Sequence, residues 1–205
     1  MNTQLLPLSS QSSLSDNSLF QPQNALPAGQ QYIVENLFSL DIIQKQTTTK
    51  IIMQLLYNQV NTRDIPHIVA LLEEHLPNVL YTQCFNDDGL PFSVEVKHTE
   101  IGHLFEHILL EYLCQAKIAK GAQRASYAGN TKWNWLRDPR GKFHIRLTCG
   151  VKDADILPLA LDKTIALMKI ILAFHQTPLF TSKRQYGPKN GLKNGKRSRE
   201  NNASI

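Results

Sequence analysis

The chain has 205 residues, of which 42% are hydrophobic and 19% are charged, which fits a folded domain with its own core and excludes a wholly disordered polyelectrolyte. The net charge of +5 is unevenly distributed, because the last 25 residues hold seven Lys or Arg and one acid, whereas the first 29 hold a single charge. The neutral part between them argues against a nucleic-acid-binding body, which would carry a basic face.

Both ends of the chain have the composition of disordered segments. Residues 1–29 are rich in Ser, Gln, Asn and Pro, and residues 181–205 are rich in Lys, Asn, Gly and Ser. Neither segment holds enough apolar surface to offset the entropy lost on ordering. We therefore predict one folded domain over 30–180, flanked by a disordered N-terminal segment and a basic disordered tail.

The sequence contains no signal for export or for membrane insertion. The first 29 residues lack Lys and Arg, and the longest apolar run, around 165–174, is broken by Lys169. Cys84, Cys114 and Cys149 are scattered without metal-finger or redox spacing, which indicates reduced thiols. These features predict a cytoplasmic protein without a membrane partner, and a homo-oligomer stays open.

The first half of the body alternates between strand and helix patterns. A β-branched apolar run over 47–57 predicts a strand, and capping side chains at 61–64 precede apolar residues at helical spacing over 65–76, ended by Pro77. Strict alternation over 92–97 predicts a short second strand.

The second half adds two long helices and a hairpin. Thr99 is a capping residue for a helix over 100–119, and strands over 131–136 and 142–149 flank a turn at 138–141. Asp153 or Asp155 opens a last helix that reaches about residue 174. This order predicts an α+β fold with a largely antiparallel sheet and packed helices.

The predicted helix 100–119 carries the most informative chemistry. His103 and His107 are four residues apart, so their imidazoles lie one turn apart on one face and can chelate one Zn²⁺ ion. Glu106 lies at the edge of the same face, where it can take a proton from the attacking water and deliver it to a leaving amine. This H-x-x-E-H order is that of the inverted zinc peptidases.

The third metal ligand is open at this point. Glu111 is four residues after His107 and on the same face, so it is either a ligand or a residue that orients His107. Glu95, His98 and His144 are further candidates. The alternative without a metal is a pair of buried, hydrogen-bonded histidines beside an apolar stripe.

The stretch Gly102-His103-Leu104-Phe105-Glu106-His107-Ile108-Leu109-Leu110-Glu111 resembles the H-x-x-E-H-x-x-x-E helix of the N-terminal domain of cyanophycin synthetases. Weaker matches occur in the same order at 36–39, 62–77, Thr99, Gly121 and Arg124, so the resemblance covers about 31–175. It implies a free-standing version of that domain, which engages cyanophycin, a polyaspartate carrying arginine on each side-chain carboxyl.

The resemblance also implies an activity and a set of roles. Some members of the family are similar to zinc metallopeptidases that cut the polymer, and this chain has their complete motif. His103, His107 and Glu111 would then hold Zn²⁺, Glu106 would be the catalytic base, and Arg124 would bind substrate carboxylates. Where the family continues with a second Arg and a Glu, this chain has Ser126 and Tyr127, which favours the alternative of a non-catalytic cyanophycin-binding or regulatory module.

Overall fold

A computed structural model describes residues 29–84 and 89–176. The predicted disordered segments, 1–29 apart from Gly29 and 181–205, lie outside these residues. The five strands are β1 (Gln30–Val34), β2 (Phe38–Gln44), β3 (Thr49–Leu55), β4 (Gly129–Lys132) and β5 (Lys142–Leu147). The α-helices are α1 (Ile68–His75), α2 (Phe92–Glu95), α3 (Ile101–Ala119) and α4 (Leu157–Gln176).

The strands form one sheet in the order β1-β2-β3-β5-β4, and every neighbouring pair is antiparallel. The predicted α+β class with an antiparallel sheet is therefore confirmed. None of the helices in the described ranges is both long and apolar enough to cross a bilayer.

Helices cover one face of this sheet, and alternation along the strands explains why. Successive side chains of a strand point to opposite faces, so every second residue of the central strands is buried while the residues between them are half-buried or exposed. The buried set comprises Phe38, Leu40 and Ile42 on β2, Ile51, Met53 and Leu55 on β3, and Phe143, Ile145 and Leu147 on β5. Helix α3 packs on this side and α4 packs on α3, whereas the opposite face is mainly polar and also carries Ile33, Ile43 and Ile52.

A close approach of α3 to the sheet depends on Gly102. A Cβ atom built on Gly102 would lie 2.6 Å from Cδ1 and 2.8 Å from Cβ of Phe143, a fully buried ring on β5. Only glycine fits this distance, so the first turn of α3, which carries His103, is held directly against the sheet.

The segment 92–97 is helical, and the prediction of a strand there is wrong. Its alternating apolar residues also fit helical spacing, because Phe92 and Val96 are four apart and both fully buried, whereas Val94 is 44% exposed. Pro91 precedes α2 and has no N–H to donate to a sheet.

The predicted hairpin forms, but its first strand is earlier and shorter than expected. β4 pairs with β5 from Gly129 opposite Leu147 to Lys132 opposite His144, so 133–136 belongs to the connection. Trp133 and Trp135, which lie within the predicted strand 131–136, place their rings 6.1 and 6.0 Å from that of Phe143. Their packing on this ring replaces further strand pairing.

Both flanking helices begin later than predicted. Ile65 precedes Pro66 and is extended, because a residue before proline avoids helical angles, so α1 starts at Ile68. Asp153 lies in a 3-10 turn (Val151–Asp153) and α4 starts at Leu157, so neither predicted aspartate opens it.

We predict that Gly102→Ala destabilises the protein although alanine is the better helix former. The helical propensity gained is about 1 kcal/mol, whereas overpacking against a fully buried ring costs about 1–3 kcal/mol. Urea unfolding should show a lower midpoint for the variant. Ile118→Ala, at a half-exposed position of the same helix, is the control and should stay within about 0.5 kcal/mol of the wild type. A Gly102→Ala variant more stable than the wild type would contradict the close approach.

Candidate metal centre

The first two turns of α3 bring His103 and His107 together as predicted. Their Nε2 atoms are 3.2 Å apart, and the rings meet at 75°. His107 is 7% exposed and its ring stacks on that of Phe92, with centroids 3.9 Å apart. The helical turn that replaced the predicted strand at 92–95 therefore forms one wall of the histidine pair.

Cys84 completes a group of three metal-ligand atoms. Its Sγ lies 3.3 Å from Nε2 of His103 and 3.7 Å from Nε2 of His107. The three atoms all lie within 4.8 Å of one another. This arrangement of one thiol and two imidazoles can hold a metal ion.

The separations fit a tetrahedral zinc ion. With Zn–N bonds of about 2.0–2.1 Å and Zn–S bonds of about 2.3 Å, tetrahedral angles place two nitrogen ligands about 3.3 Å apart and a nitrogen and a sulfur about 3.6 Å apart. The observed distances of 3.2, 3.3 and 3.7 Å are close to these values. Three protein ligands are also the number found in catalytic zinc sites, where the fourth position is left to water or substrate.

The position of Cys84 is set by the chain around it. It follows a 3-10 turn (Pro77–Tyr81), after which Gln83 forms a β-bridge with Pro91 and the N–H of Phe92 donates to the carbonyl of Thr82 at 3.1 Å. These bonds hold the segment beside α2, so the thiol and the stacked Phe92 approach the histidines together.

A threonine hydroxyl orients each histidine. The Thr82 hydroxyl donates to the carbonyl of Val79 at 2.7 Å, so it must accept the N–H of His107 Nδ1 at 3.0 Å. This assigns the proton to Nδ1 and leaves a lone pair on Nε2, the atom that faces Cys84. On His103, Nδ1 lies 2.6 Å from the Thr99 hydroxyl.

The expected capping role of Thr99 is therefore wrong. The N-cap of α3 is Glu100, and no side chain caps the helix. Thr99 is instead held by Thr62, whose hydroxyl accepts the N–H of Thr99 at 3.0 Å and donates to its carbonyl at 3.1 Å. This bonding leaves the Thr99 hydroxyl to orient His103.

Burial keeps both imidazoles neutral. Burial, together with the nearby His103, lowers the pKa of His107 to about 3. Burial also lowers the pKa of His103, against the opposing effect of the Glu95 carboxylate. Neutral imidazole is the form that binds metals, so both side chains are in the ligand state at pH 7.

Glu106 lies outside the ligand group and lines the same cavity. Glu106 is only 4% exposed, and the Thr131 hydroxyl donates to its Oε2. Burial raises the pKa of Glu106 to about 7 despite the opposing effect of this hydrogen bond. The missing side chain of Gly129 on β4 leaves room for this carboxyl group, because a Cβ atom on Gly129 would lie 2.8 Å from Cδ of Glu106. A carboxyl group with a pKa near 7 can both accept and donate a proton at neutral pH.

Two other predicted site residues lie away from this group. Oε1 of Glu111 accepts from Gln115 Nε2 at 2.9 Å, and Glu111 is neither among the three clustered ligands nor in the cavity lining. Arg124 is exposed between α3 and β4 and does not line the cavity either. The geometry thus brings Cys84, rather than Glu111, to the histidine pair.

The remaining candidate ligands divide between the cavity and the far face of the sheet. Glu95 and His98 line the cavity but do not belong to the three-residue group. His144 is exposed on β5 and its Nε2 lies 2.9 Å from Oδ2 of Asp138. His144 is therefore not part of the candidate metal centre.

The cavity over the metal centre has a volume of about 340 Å³. Its walls come from 83–84, Glu95, 98–100, one face of α3, 127–131 and Trp133, and no Lys or Arg is among the lining residues in the described part of the chain. Two carboxylates, Glu95 and Glu100, stand near its histidines. The cavity therefore favours a positively charged ligand group.

Sequence reasoning missed Cys84 because no local signal marks it. The cysteine stands nineteen residues before His103, which is beyond the spacing of a helical or finger motif. The only available hint was a cysteine upstream of an unexplained histidine pair.

Comparison of the chain with protein-family models, with characterised proteins and with solved structures found no match.

We predict that Cys84→Ala removes metal binding. The protein with its cluster intact should hold roughly one zinc ion per chain after dialysis, and loss of one of three ligands should weaken binding by more than about 100-fold, beyond the cost of an outer hydrogen-bond partner. Elemental analysis and competition with a chromogenic chelator measure this.

Two control variants make the Cys84 test specific. Cys114→Ala removes another thiol, which donates weakly to the carbonyl of Ala125, and Glu111→Gln removes the carboxylate expected from the sequence. Both should keep full metal content. Retention of zinc by Cys84→Ala together with its loss in Glu111→Gln would reverse the assignment.

We predict that Thr82→Val weakens zinc binding by about 10- to 100-fold, because the N–H of His107 Nδ1 loses its acceptor and the ring its orientation. Thr82→Ser keeps the hydroxyl and should bind zinc like the wild type. The same chelator competition measures both affinities, and equal losses in the two variants would point to packing of the methyl group rather than to the hydrogen bond.

Proposed function

We propose that this chain is a zinc-dependent hydrolase that cleaves cyanophycin or a related aspartate–arginine polymer. The observation that carries the proposal is the convergence of Cys84, His103 and His107 on one point in a cavity that Glu106 also lines. Metal ligands, an ionisable carboxyl group and room for a substrate are the parts that metal-assisted hydrolysis requires.

Each residue has a distinct part in this chemistry. The thiolate of Cys84 and the Nε2 atoms of His103 and His107 would hold zinc, which would supply Lewis acidity and lower the pKa of a water molecule. Glu106 takes the proton of the attacking water and returns it to the leaving amine, while the Thr131 hydroxyl holds its Oε2. The hydroxyl groups of Thr82 and Thr99 keep the imidazoles in position throughout.

The charge of the cavity supports a cationic substrate. Glu95 and Glu100 line it without a neighbouring Lys or Arg in the lining, and burial raises the pKa of Glu100, so an incoming guanidinium group would recover part of the free energy lost by burying that carboxylate. Arginine side chains of an aspartate–arginine polymer provide such groups. Arg124, farther out, is proposed to meet the carboxylates of the polymer.

The identity of the polymer rests on the resemblance of 31–175 to the N-terminal domain of cyanophycin synthetases. A second candidate function, a non-catalytic module that binds the polymer, is favoured by one observation. Tyr127, at a position where the family carries a charged residue, lines the cavity but donates its hydroxyl to Asp153 at 3.1 Å, so it offers the substrate no charge.

We predict that Glu106→Gln keeps zinc and loses cleavage. Glutamine retains the size and can still accept from Thr131, but it cannot carry a proton, and general base catalysis contributes about 10²–10⁴-fold to the rate. Incubation with purified cyanophycin, followed by chain length and by release of new amino ends, measures the loss.

Glu111→Gln is the matched control, because it makes the same chemical change on the same helix outside the metal group. It should cleave at the wild-type rate. Cleavage by Glu106→Gln as fast as by wild type would refute the role of this residue, and binding without cleavage by the zinc-loaded wild type would establish the binding module.

A further inference from the structure

The cavity is bordered by an edge of the sheet. β4 is the last strand in the order β1-β2-β3-β5-β4, so within the described ranges it pairs with β5 alone. Residues 128–131 and Trp133 line the cavity that holds the metal group. A sheet edge beside reacting groups offers main-chain donors and acceptors to whatever enters.

The hydrogen-bond alternation identifies which groups face outward. The N–H of Thr148 donates to the carbonyl of Ala128 at 2.8 Å, so Ala128 faces β5. In an antiparallel pair every second residue bonds to the partner, and Asn130 and Lys132 therefore face β5 as well. The N–H and C=O groups of Gly129 and Thr131 point to the open edge, and no described residue outside the β4–β5 ladder forms a hydrogen bond with them.

The two outward-facing residues are also the ones that touch Glu106. Thr131 donates to its Oε2, and Gly129 leaves the space in which its carboxyl group lies. An added strand lies about 4.7–4.9 Å from the edge strand. A peptide paired with β4 would consequently pass beside the Glu106 carboxyl group.

We propose that the substrate binds as an extended peptide that adds a strand to the open edge of β4, through main-chain hydrogen bonds to Gly129 and Thr131. This inference rests on the proposed function and specifies how its substrate is held. Main-chain pairing suits a polymer whose residues are all alike, since affinity then comes from the backbone and the side chains need only fit pockets. The acidic lining at Glu95 and Glu100 receives the cationic side chains.

The test uses a synthetic octamer of α-linked aspartate with arginine on each side chain, and a series of it in which one main-chain amide at a time is N-methylated. Because identical residues could slide along β4 by one position, every peptide of the series carries a zinc-binding phosphinate in place of its central peptide bond, which fixes the register. Binding is measured to zinc-loaded Glu106→Gln, which holds the peptide without cutting it. Methylation of alternate amides across the site should weaken binding by about 3- to 10-fold each, the value of one hydrogen bond, and methylation of the intervening amides should change it less than about 2-fold. A second series with esters in place of amides removes the donor without adding bulk and should show the same period of two.

Hydrogen exchange provides a readout on the protein. Saturating octamer should slow exchange of the Gly129 and Thr131 amides by more than about 10-fold, whereas those of Asn130 and Lys132, already bonded to β5, should not change. Uniform effects along the peptide, no binding of the octamer, or a peptide-independent dimer that already protects Gly129 and Thr131 would overturn the proposal.

The two hypotheses fail separately. If wild type cleaves the octamer but the methylated series shows no alternation, the hydrolase stands and the strand pairing is wrong. If wild type cleaves nothing while binding alternates along the series, the pairing stands and the hydrolase is wrong.

Discussion

Hydrogen bonds from three threonine hydroxyl groups make the buried polar face of α3 possible. Thr82 accepts from His107, Thr99 meets His103, and Thr131 donates to Glu106. A buried polar group without a partner costs about 1–3 kcal/mol, so three such groups on one helix would consume much of a small domain's stability of 5–15 kcal/mol. The hydroxyl groups offset this cost and at the same time fix the orientation of the two histidines and Glu106.

Each of these threonines belongs to a different part of the fold. Thr82 follows a 3-10 turn, Thr99 precedes α3, and Thr131 lies on the edge strand. The metal centre therefore forms only when all three parts have packed around the helix. Two glycines also allow this packing because they have no side chain. Gly102 lets α3 approach Phe143, and Gly129 leaves room for Glu106.

A second buried polar group anchors the segment that leads from α3 to β4. The carboxyl group of Asp153 is 1% exposed and accepts from Lys117 at 2.6 Å and from Tyr127 at 3.1 Å. The hydrogen bond to Asp153 raises the pKa of Lys117. Burial raises the pKa of Tyr127, and the hydrogen bond to Asp153 raises it further. Lys117 on α3 and Tyr127 just before β4 are thus tied to one point, which fixes where the edge strand meets the cavity.

The sequence by itself determined the local features, because they depend on neighbours along the chain. Helical spacing placed His103, Glu106 and His107 on one face of α3, and turn residues marked the hairpin that pairs β4 with β5. Where a pattern fitted two periods, local reasoning failed: the alternation at 92–97 matched a strand, but burial of Phe92 and Val96 against the core selected a helical turn. Only the tertiary structure brought Cys84 to the histidines and Thr131 to Glu106, since these contacts join segments 19 to 25 residues apart whose meeting is decided by packing of the whole domain rather than by any spacing in the sequence.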